Sequence, residues 1–331
     1  MADMLPENGS TRPPGSRTLT LGTRGSPLAL AQAHWVADEI KARSGGAFLC
    51  DVQTFSTKGD QLTTERLINS GGKGLFTREL DAATLDGRLD LAVHSLKDVP
   101  TLLDPGMEIV AYPPREDARE AFICRSADHP NALPAGAVVG TASLRREAQT
   151  LAMRPDLSVI PFRGSVNTRL EKLDRGDAAA TWLAMAGLTR LGMLSEVVHP
   201  IALEDMLPAA GQGILAIAVP STLDAEAKSA VRALNDLASE AAATAERALL
   251  ATLDGSCRTA IAAHLFESDG QYRLSAEVLS PKGDQCWRQT ESLDLAPDTP
   301  VDAAALAALG ESVGGAIRDA AGGDLPTFED T

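Results

Sequence analysis

The apolar positions of this chain form short runs that alternate with longer stretches of helical spacing. Leu19 to Thr23 reads as a first strand. Ser26 and Pro27 then open a helix that runs to about Arg43, with Ser26 as its cap and Pro27 at the first helical position. Asp51 to Ser56 alternates as a second strand, Leu75 to Leu85 has helical spacing, and Leu91, Ala92 and Val93 make another apolar run. Strands and helices in this order predict a parallel sheet. Residues 56–74 are polar and carry Gly59, Gly71, Gly72 and Gly74. A connection of that length is functional or mobile, and we expect a lid that closes over a ligand.

Tyr112-Pro113-Pro114 reads as a hinge, and a second α/β block follows from Arg119 to Leu207. Its strands are expected near Ala121–Cys124, Val138–Gly140, Ser158–Pro161 and Ala178–Trp182, with helices between them. Ile214 to Val219 is a further apolar strand that is placed to return to the first block, and a helix follows near Asp224 to Leu234. An Ala-rich helix then runs from Ala238 to Leu253. Three strands follow, near Ile261–Phe266, Tyr272–Leu279 and Gln285–Glu291, with turns at Asp269-Gly270 and Gly283-Asp284. A last helix spans Val301 to Ala321. The expected fold class is α/β: a tail over 1–17, a first α/β domain over 18–113 and 214–234, a second over 114–213, and a small α+β domain over 235–331.

Charge and composition narrow the partners. With 45 acidic and 30 basic residues the net charge is −15, which repels nucleic acid and anionic membrane surfaces. No apolar stretch is long enough to span a bilayer. Residues 1–17 hold Pro6, Pro13 and Pro14 and lack the apolar centre of a signal peptide, so a cytoplasmic location is expected. Cys50, Cys124, Cys257 and Cys286 form no CxxC pair, and the five histidines are scattered, so neither a metal nor a disulfide framework is expected.

The chemistry begins at residues 90–100, DLAVHSLKDVP. An apolar strand there delivers Ser95, Lys97 and Asp98 where ligands of parallel sheets bind. The plainer alternative is a helix start with a local ion pair. Other cations share the same kind of position: Arg24 after the first strand, Lys73 in a glycine run, Arg145 and Arg146 after Thr141 and Ser143, Arg163 and Arg169 around Gly164, and Arg190. Strand-to-helix junctions already favour anions, and arginine adds a fork that matches a carboxylate. Each arginine alone is a surface residue on base rate; together they point to a ligand with several carboxylates or phosphates. No Walker phosphate loop, dinucleotide-binding glycine fingerprint or hydrolase nucleophile elbow is present. Cys257 lies in Leu253-Asp254-Gly255-Ser256-Cys257-Arg258. The adjacent cation would lower its thiol pKa, although a lone cysteine is more often a small core residue.

Taken together, TRGSPLALAQA (23–33), GGKGLFTREL (71–80), AVHSLKDVP (92–100), VGTASLRR (139–146), RGSVNTRL (163–170), PAAGQG (208–213) and LDGSC (253–257) resemble the porphobilinogen deaminase (hydroxymethylbilane synthase) family. The resemblance runs from about Thr18 to the last helix. It implies two α/β domains like those of type II periplasmic binding proteins, joined by a hinge, plus a small third domain. It implies a transferase of haem and tetrapyrrole biosynthesis that condenses four porphobilinogen molecules head to tail into hydroxymethylbilane, releasing ammonia. The implied cofactor is dipyrromethane, built from two porphobilinogen units and joined by a thioether to Cys257. Asp98 matches the catalytic carboxylate, which would stabilise the azafulvene cation formed as ammonia leaves. Arg24, Ser26, Lys73, Ser95, Lys97, Thr141, Ser143, Arg145, Arg146, Arg163, Gly164, Arg169, Arg190 and Gln212 match cofactor- or substrate-binding positions. A monomer is expected, its product passing to uroporphyrinogen-III synthase.

This chain departs from the family at Asn69, where some relatives carry a second lysine, at Ser165, where Asn is common, and at Ala260, where Pro is common. Two rivals remain: a non-catalytic binding protein on the same fold, and a transferase of that fold using a phosphoribosyl donor. Neither needs a covalent pyrrole, so intact mass separates them.

Overall fold

The structure is a computed structural model and describes residues 15–61, 74–253, 259–268, 271–294, 302–323 and 325–327. In chain order the first unit holds β1 (Arg17–Arg24), α1 (Pro27–Arg43), β2 (Phe48–Phe55), the single turn α2 (Lys58–Gln61), α3 (Arg78–Leu85), β3 (Leu91–Ser95) and β4 (Met107–Ala111). The second holds β5 (Glu120–Cys124), β6 (Val138–Gly140), α4 (Leu144–Met153), β7 (Ser158–Ile160), α5 (Val166–Asp174), β8 (Ala180–Ala184), α6 (Met185–Leu191) and β9 (Val198–Pro200). The chain then returns through β10 (Leu215–Pro220) and α7 (Ala225–Arg232). The third unit comprises α8 (Leu237–Thr252), β11 (Ala260–Ser268), β12 (Gln271–Leu279), β13 (Cys286–Asp294) and α9 (Ala303–Ala320).

The first sheet has the order β2-β1-β3-β10-β4 and the second β7-β6-β8-β5-β9. β1 runs parallel to β2 and β3, as the strand and helix order requires. The sheets are nonetheless mixed, a correction to the parallel expectation: β10 is antiparallel to β3 and β4, and β5 is antiparallel to β8 and β9. Two short edge strands, β4 and β9, were not foreseen. The return of β10 to the first sheet was.

Ser26 caps α1 by accepting from the Ala29 N–H at 3.3 Å, and Pro27 occupies its first turn. Ala29, Ala33, Val36 and Ile40 recur at helical spacing and bury that face on the sheet. In the second unit Phe122 and Trp182 meet at 5.1 Å, and the Trp182 indole N–H donates to Thr150 Oγ1 at 2.9 Å. The third unit is an antiparallel sheet, β11-β12-β13, covered by α8 and α9. Gly310 lets those helices touch: a Cβ there would lie 2.2 Å from the Ala245 carbonyl oxygen.

The hinge residues form one of two crossing connections. Tyr112 N–H donates to Asn235 Oδ1 at 2.9 Å, and Glu116 N–H donates to the Gly213 carbonyl at 3.1 Å. Gly213 has φ +89°, and a Cβ there would stand 2.3 Å from the Glu116 oxygen. The outgoing and returning connections therefore cross in direct backbone contact. Glu246 of α8, fully buried, binds both: Arg115 at 2.7 Å and the Gly211 N–H at 2.6 Å. It also accepts from the Leu265 N–H of β11 at 2.9 Å.

Candidate active site

The carboxyl ends of strands from both sheets open onto one cavity of about 980 Å³. Arg24, Ser26, Lys97 and Asp98 reach it from the first unit. Ser143, Arg145, Arg146, Arg163, Gly164 and Arg169 reach it from the second, and Thr259 and Ile261 from the third. Three helices start at its wall. Ser26 caps α1, Ser143 accepts from the Arg146 N–H of α4 at 3.4 Å, and Ser165 accepts from the Thr168 N–H of α5 at 3.3 Å. Their positive dipole ends and N–H groups favour an anion. Ser165, a departure from the family pattern, is thus a competent cap. Gly164 has φ +118°, and a Cβ would lie 2.8 Å from Thr168, so the turn that presents Arg163 and Arg169 needs glycine.

One acid organises the second wall. Glu120 is fully buried and receives Arg145 Nη2 at 2.6 Å and Arg146 Nε at 2.9 Å. Arg145 also donates to Gln149 Oε1 and the Leu207 carbonyl, and Arg146 to the Trp182 carbonyl. Burial alone would raise the Glu120 pKa, but Arg146 and Arg145 outweigh it and hold it at about 2. One carboxylate against two guanidiniums leaves a cation uncompensated.

Lys97 donates to Gln212 Oε1 at 3.1 Å. It touches the water of the cavity yet is ringed by protein, and that desolvation, then the Arg146 charge, pulls its ammonium down to about 8. Arg169 donates Nε to the Gly164 carbonyl at 3.0 Å. Desolvation, then the charges of Arg146 and Arg163, bring its guanidinium down to about 10.

Arg24 faces two acids. Its Nε lies 3.2 Å from Asp60 Oδ1, its Nη2 also binds that carboxylate, and its Nη1 is 4.0 Å from Asp98 Oδ2. The Phe76 ring stacks on the guanidinium at 4.3 Å. Burial of Asp60 works against ionisation, but bonds from Arg24 and Thr57 hold its carboxyl below the usual range.

Ten predicted residues meet at this cavity: Arg24, Ser26, Lys97, Asp98, Ser143, Arg145, Arg146, Arg163, Gly164 and Arg169. Ser95, Thr141, Arg190 and Gln212 do not line it and instead brace its walls. Ser95 Oγ accepts from Gln32 at 3.3 Å, Thr141 Oγ1 accepts from the Ser143 N–H at 3.2 Å, and Arg190 donates to the Gly213 carbonyl at 2.7 Å. Gln212 donates to the Ala118 carbonyl and to Glu120. The turn after β3 is a 3₁₀ turn over Leu96–Asp98. Lys73, Asn69 and Cys257 lie outside the described residues, as does most of the expected lid. Thr259, two residues after Cys257 in sequence, lines the cavity.

Sequence reasoning missed Asp60, Phe76 and Glu120. Glu120 had a signal: it directly precedes the apolar run Ala121–Cys124, where a charge must be buried or end the strand.

Residues 19–229 match the family model described as porphobilinogen deaminase, dipyromethane cofactor binding domain. Residues 241–315 match porphobilinogen deaminase, C-terminal domain. The chain is 46% identical over 291 residues to a porphobilinogen deaminase of Nitrobacter winogradskyi, covering 87% of this chain and 90% of that one. It is 42% identical over 319 residues to a chloroplastic porphobilinogen deaminase of Oryza sativa subsp. japonica, covering 95% and 86%. A solved TRAP periplasmic solute binding protein from Desulfovibrio salexigens is similar at TM-score 0.42 and 11% identity, over 68% of this chain and 73% of that one.

Proposed function

This chain belongs to the porphobilinogen deaminase family, and on that premise we propose how its cleft carries out the reaction. The chemistry is the stepwise, head-to-tail condensation of four porphobilinogen molecules into hydroxymethylbilane with release of ammonia, within tetrapyrrole biosynthesis. The observation that carries this reading is the balance of charge in the cavity. Among the described residues, six cationic side chains line it against two acids, Asp60 and Asp98, in a chain that is acidic overall.

That balance fits dipyrromethane, which bears an acetate and a propionate on each ring. When bound through Cys257, it supplies the covalent primer from which the chain grows. Arg163, Arg169, Arg24 and Lys97 bind carboxylates, and the N–H groups at the starts of α1, α4 and α5 add donors. Arg145 and Arg146, already paired by Glu120, contribute mainly a fixed positive potential. Asp98 projects into the cavity with its side chain about a third exposed (31%). Its carboxylate accepts pyrrole N–H bonds, moves the proton that the departing ammonia needs, and offsets the positive charge that develops on the pyrrole. The protein works as a cytoplasmic monomer and passes its product to uroporphyrinogen-III synthase. Among the described residues no helix is long and apolar enough to cross a membrane.

The purified protein should show an intact-mass excess of two pyrrole units that Cys257→Ser removes, and should consume porphobilinogen with release of ammonia. An active enzyme without the adduct would sink the cofactor assignment. Asp98→Asn should fold normally and lose about 10²–10⁴-fold in kcat. Near-parental turnover in that variant would refute the role given to Asp98.

A further inference from the structure

A buried carboxylate joins the two walls of the cleft, and no step of the chemistry above uses it. Glu120 opens β5 with its side chain at 0% exposure and binds Arg145 and Arg146 of α4. It also accepts from Gln212 Nε2 at 3.0 Å, while Gln212 Oε1 accepts from Lys97 Nζ at 3.1 Å. The orientation of that amide is forced. An ammonium only donates and an ionised carboxylate only accepts, so the carbonyl must face Lys97 and the NH₂ group Glu120. The contacts therefore run from the turn after β3 in the first unit, through the returning connection, to α4 in the second.

Stability does not explain such an arrangement. Desolvating a buried ion cluster offsets most of its Coulombic gain, and apolar packing of equal volume does as well. Geometry does explain it: one acid bound by two guanidiniums and an amide fixes where each donor points.

We propose that Glu120 is a positioning residue for this reaction, holding Arg145 and Arg146 and, through Gln212, registering Lys97 beside Asp98 against them. This rests on the roles given above to Asp98 and the cleft cations. Lys97 is faced by Arg145 and Arg146 from α4, Glu120 from β5, Gln212 from the returning connection and Asp98 from its own turn, with Arg24 of β1 beyond Asp98. Of these, Glu120 and Asp98 favour its ammonium and the arginines oppose it. Removing the Gln212 carbonyl takes an acceptor from the ammonium while the Glu120 charge stays, so Lys97 should lose its proton at lower pH.

Gln212→Met in the holoenzyme keeps Glu120 and both arginines and removes the amide's bonds to Lys97, Glu120 and the Ala118 carbonyl. The alkaline limb of its kcat/KM profile should move to lower pH, with kcat reduced and the thermal transition retained. Glu120→Gln should lose about 10²-fold in kcat/KM, the effect of misplacing a site by about 1 Å, and Glu120→Asp should recover part of it. If Glu120→Gln fails to fold, Gln212→Met decides alone. A folded Gln212→Met with an unmoved alkaline limb and parental kcat overturns the proposal. Asp98→Asn assayed in parallel keeps the two ideas apart: full turnover there removes the acid assignment, whereas severe loss there beside an unchanged Gln212→Met removes the Glu120 link alone.

Discussion

Replacing Arg169 with glutamine should move stability and activity in opposite directions. Its guanidinium is drawn down to about 10 by desolvation and by Arg146 and Arg163. A drop of that size corresponds to roughly 3 kcal/mol against the folded state. The side chain is only partly buried, so water and salt screen the charge and about 2 kcal/mol is a fairer figure. The sign follows from linkage. A base whose folded pKa is depressed carries its full cost at any pH below the folded value, and the cost fades as pH rises past it. Near neutrality the wild-type protein therefore bears all of it. Glutamine removes the charge but also the bond to the Gly164 carbonyl, worth about 1 kcal/mol. The net expectation is a gain of about 1 kcal/mol. The assay is thermal unfolding at pH 7 in a Cys257→Ser background, where, on the attachment proposed above, no thioether forms and no cofactor carboxylate offsets the cations. Arg169→Gln should unfold about 1–2 °C higher there, and the advantage should shrink above pH 10. In the loaded enzyme the same change removes a charge-assisted pair of about 1.5–3 kcal/mol, so kcat/KM should fall roughly 10- to 150-fold. An Arg169→Gln protein that is no more stable than its Cys257→Ser parent would refute the argument that these cations strain the empty cleft.

Glu246→Gln should cost about 3–5 kcal/mol in urea unfolding, because it leaves Arg115 without its buried counter-ion; a loss below 1 kcal/mol would show that the node is not needed for stability. Gly164→Ala should cost about 1–3 kcal/mol, since alanine is strained at φ +118° and its Cβ would press on Thr168. It should also raise KM by displacing Arg163 and Arg169, and an unchanged KM would mean that this turn does not set their position.

The readable part of the fold was local. Ser26 and Pro27 announce α1 because capping chemistry is decided within four residues. Leu91 to Val93 announce a buried strand because both faces are covered. Strand direction was not readable: Leu215–Val219 is equally apolar in either sense, and β10 proved antiparallel to its neighbours. Edge strands were lost for a related reason, since β9 has only three residues and presents too little pattern to see. The cations of the site were legible because they recur at strand ends. Their partners were not: Glu120 sits 25 residues from Arg145, and Asp60 sits 36 from Arg24. No spacing rule joins residues so far apart. Only the folded sheets bring them together, and with them the fact that Arg145 and Arg146 are already committed to a protein carboxylate.

Glu246 has a mechanical consequence. Two polypeptide connections run between the lobes, and this one carboxylate grips both, at Arg115 and at Gly211, while also gripping β11 at Leu265. The third unit is thus held by both connections at one point, and it also rests on each lobe: Arg247 of α8 donates to the Pro100 carbonyl at 2.8 Å, and Glu277 of β12 accepts from Gln149 of α4 at 2.7 Å. Any change in the distance from lobe to lobe must accordingly break or strain contacts of this unit with at least one of them.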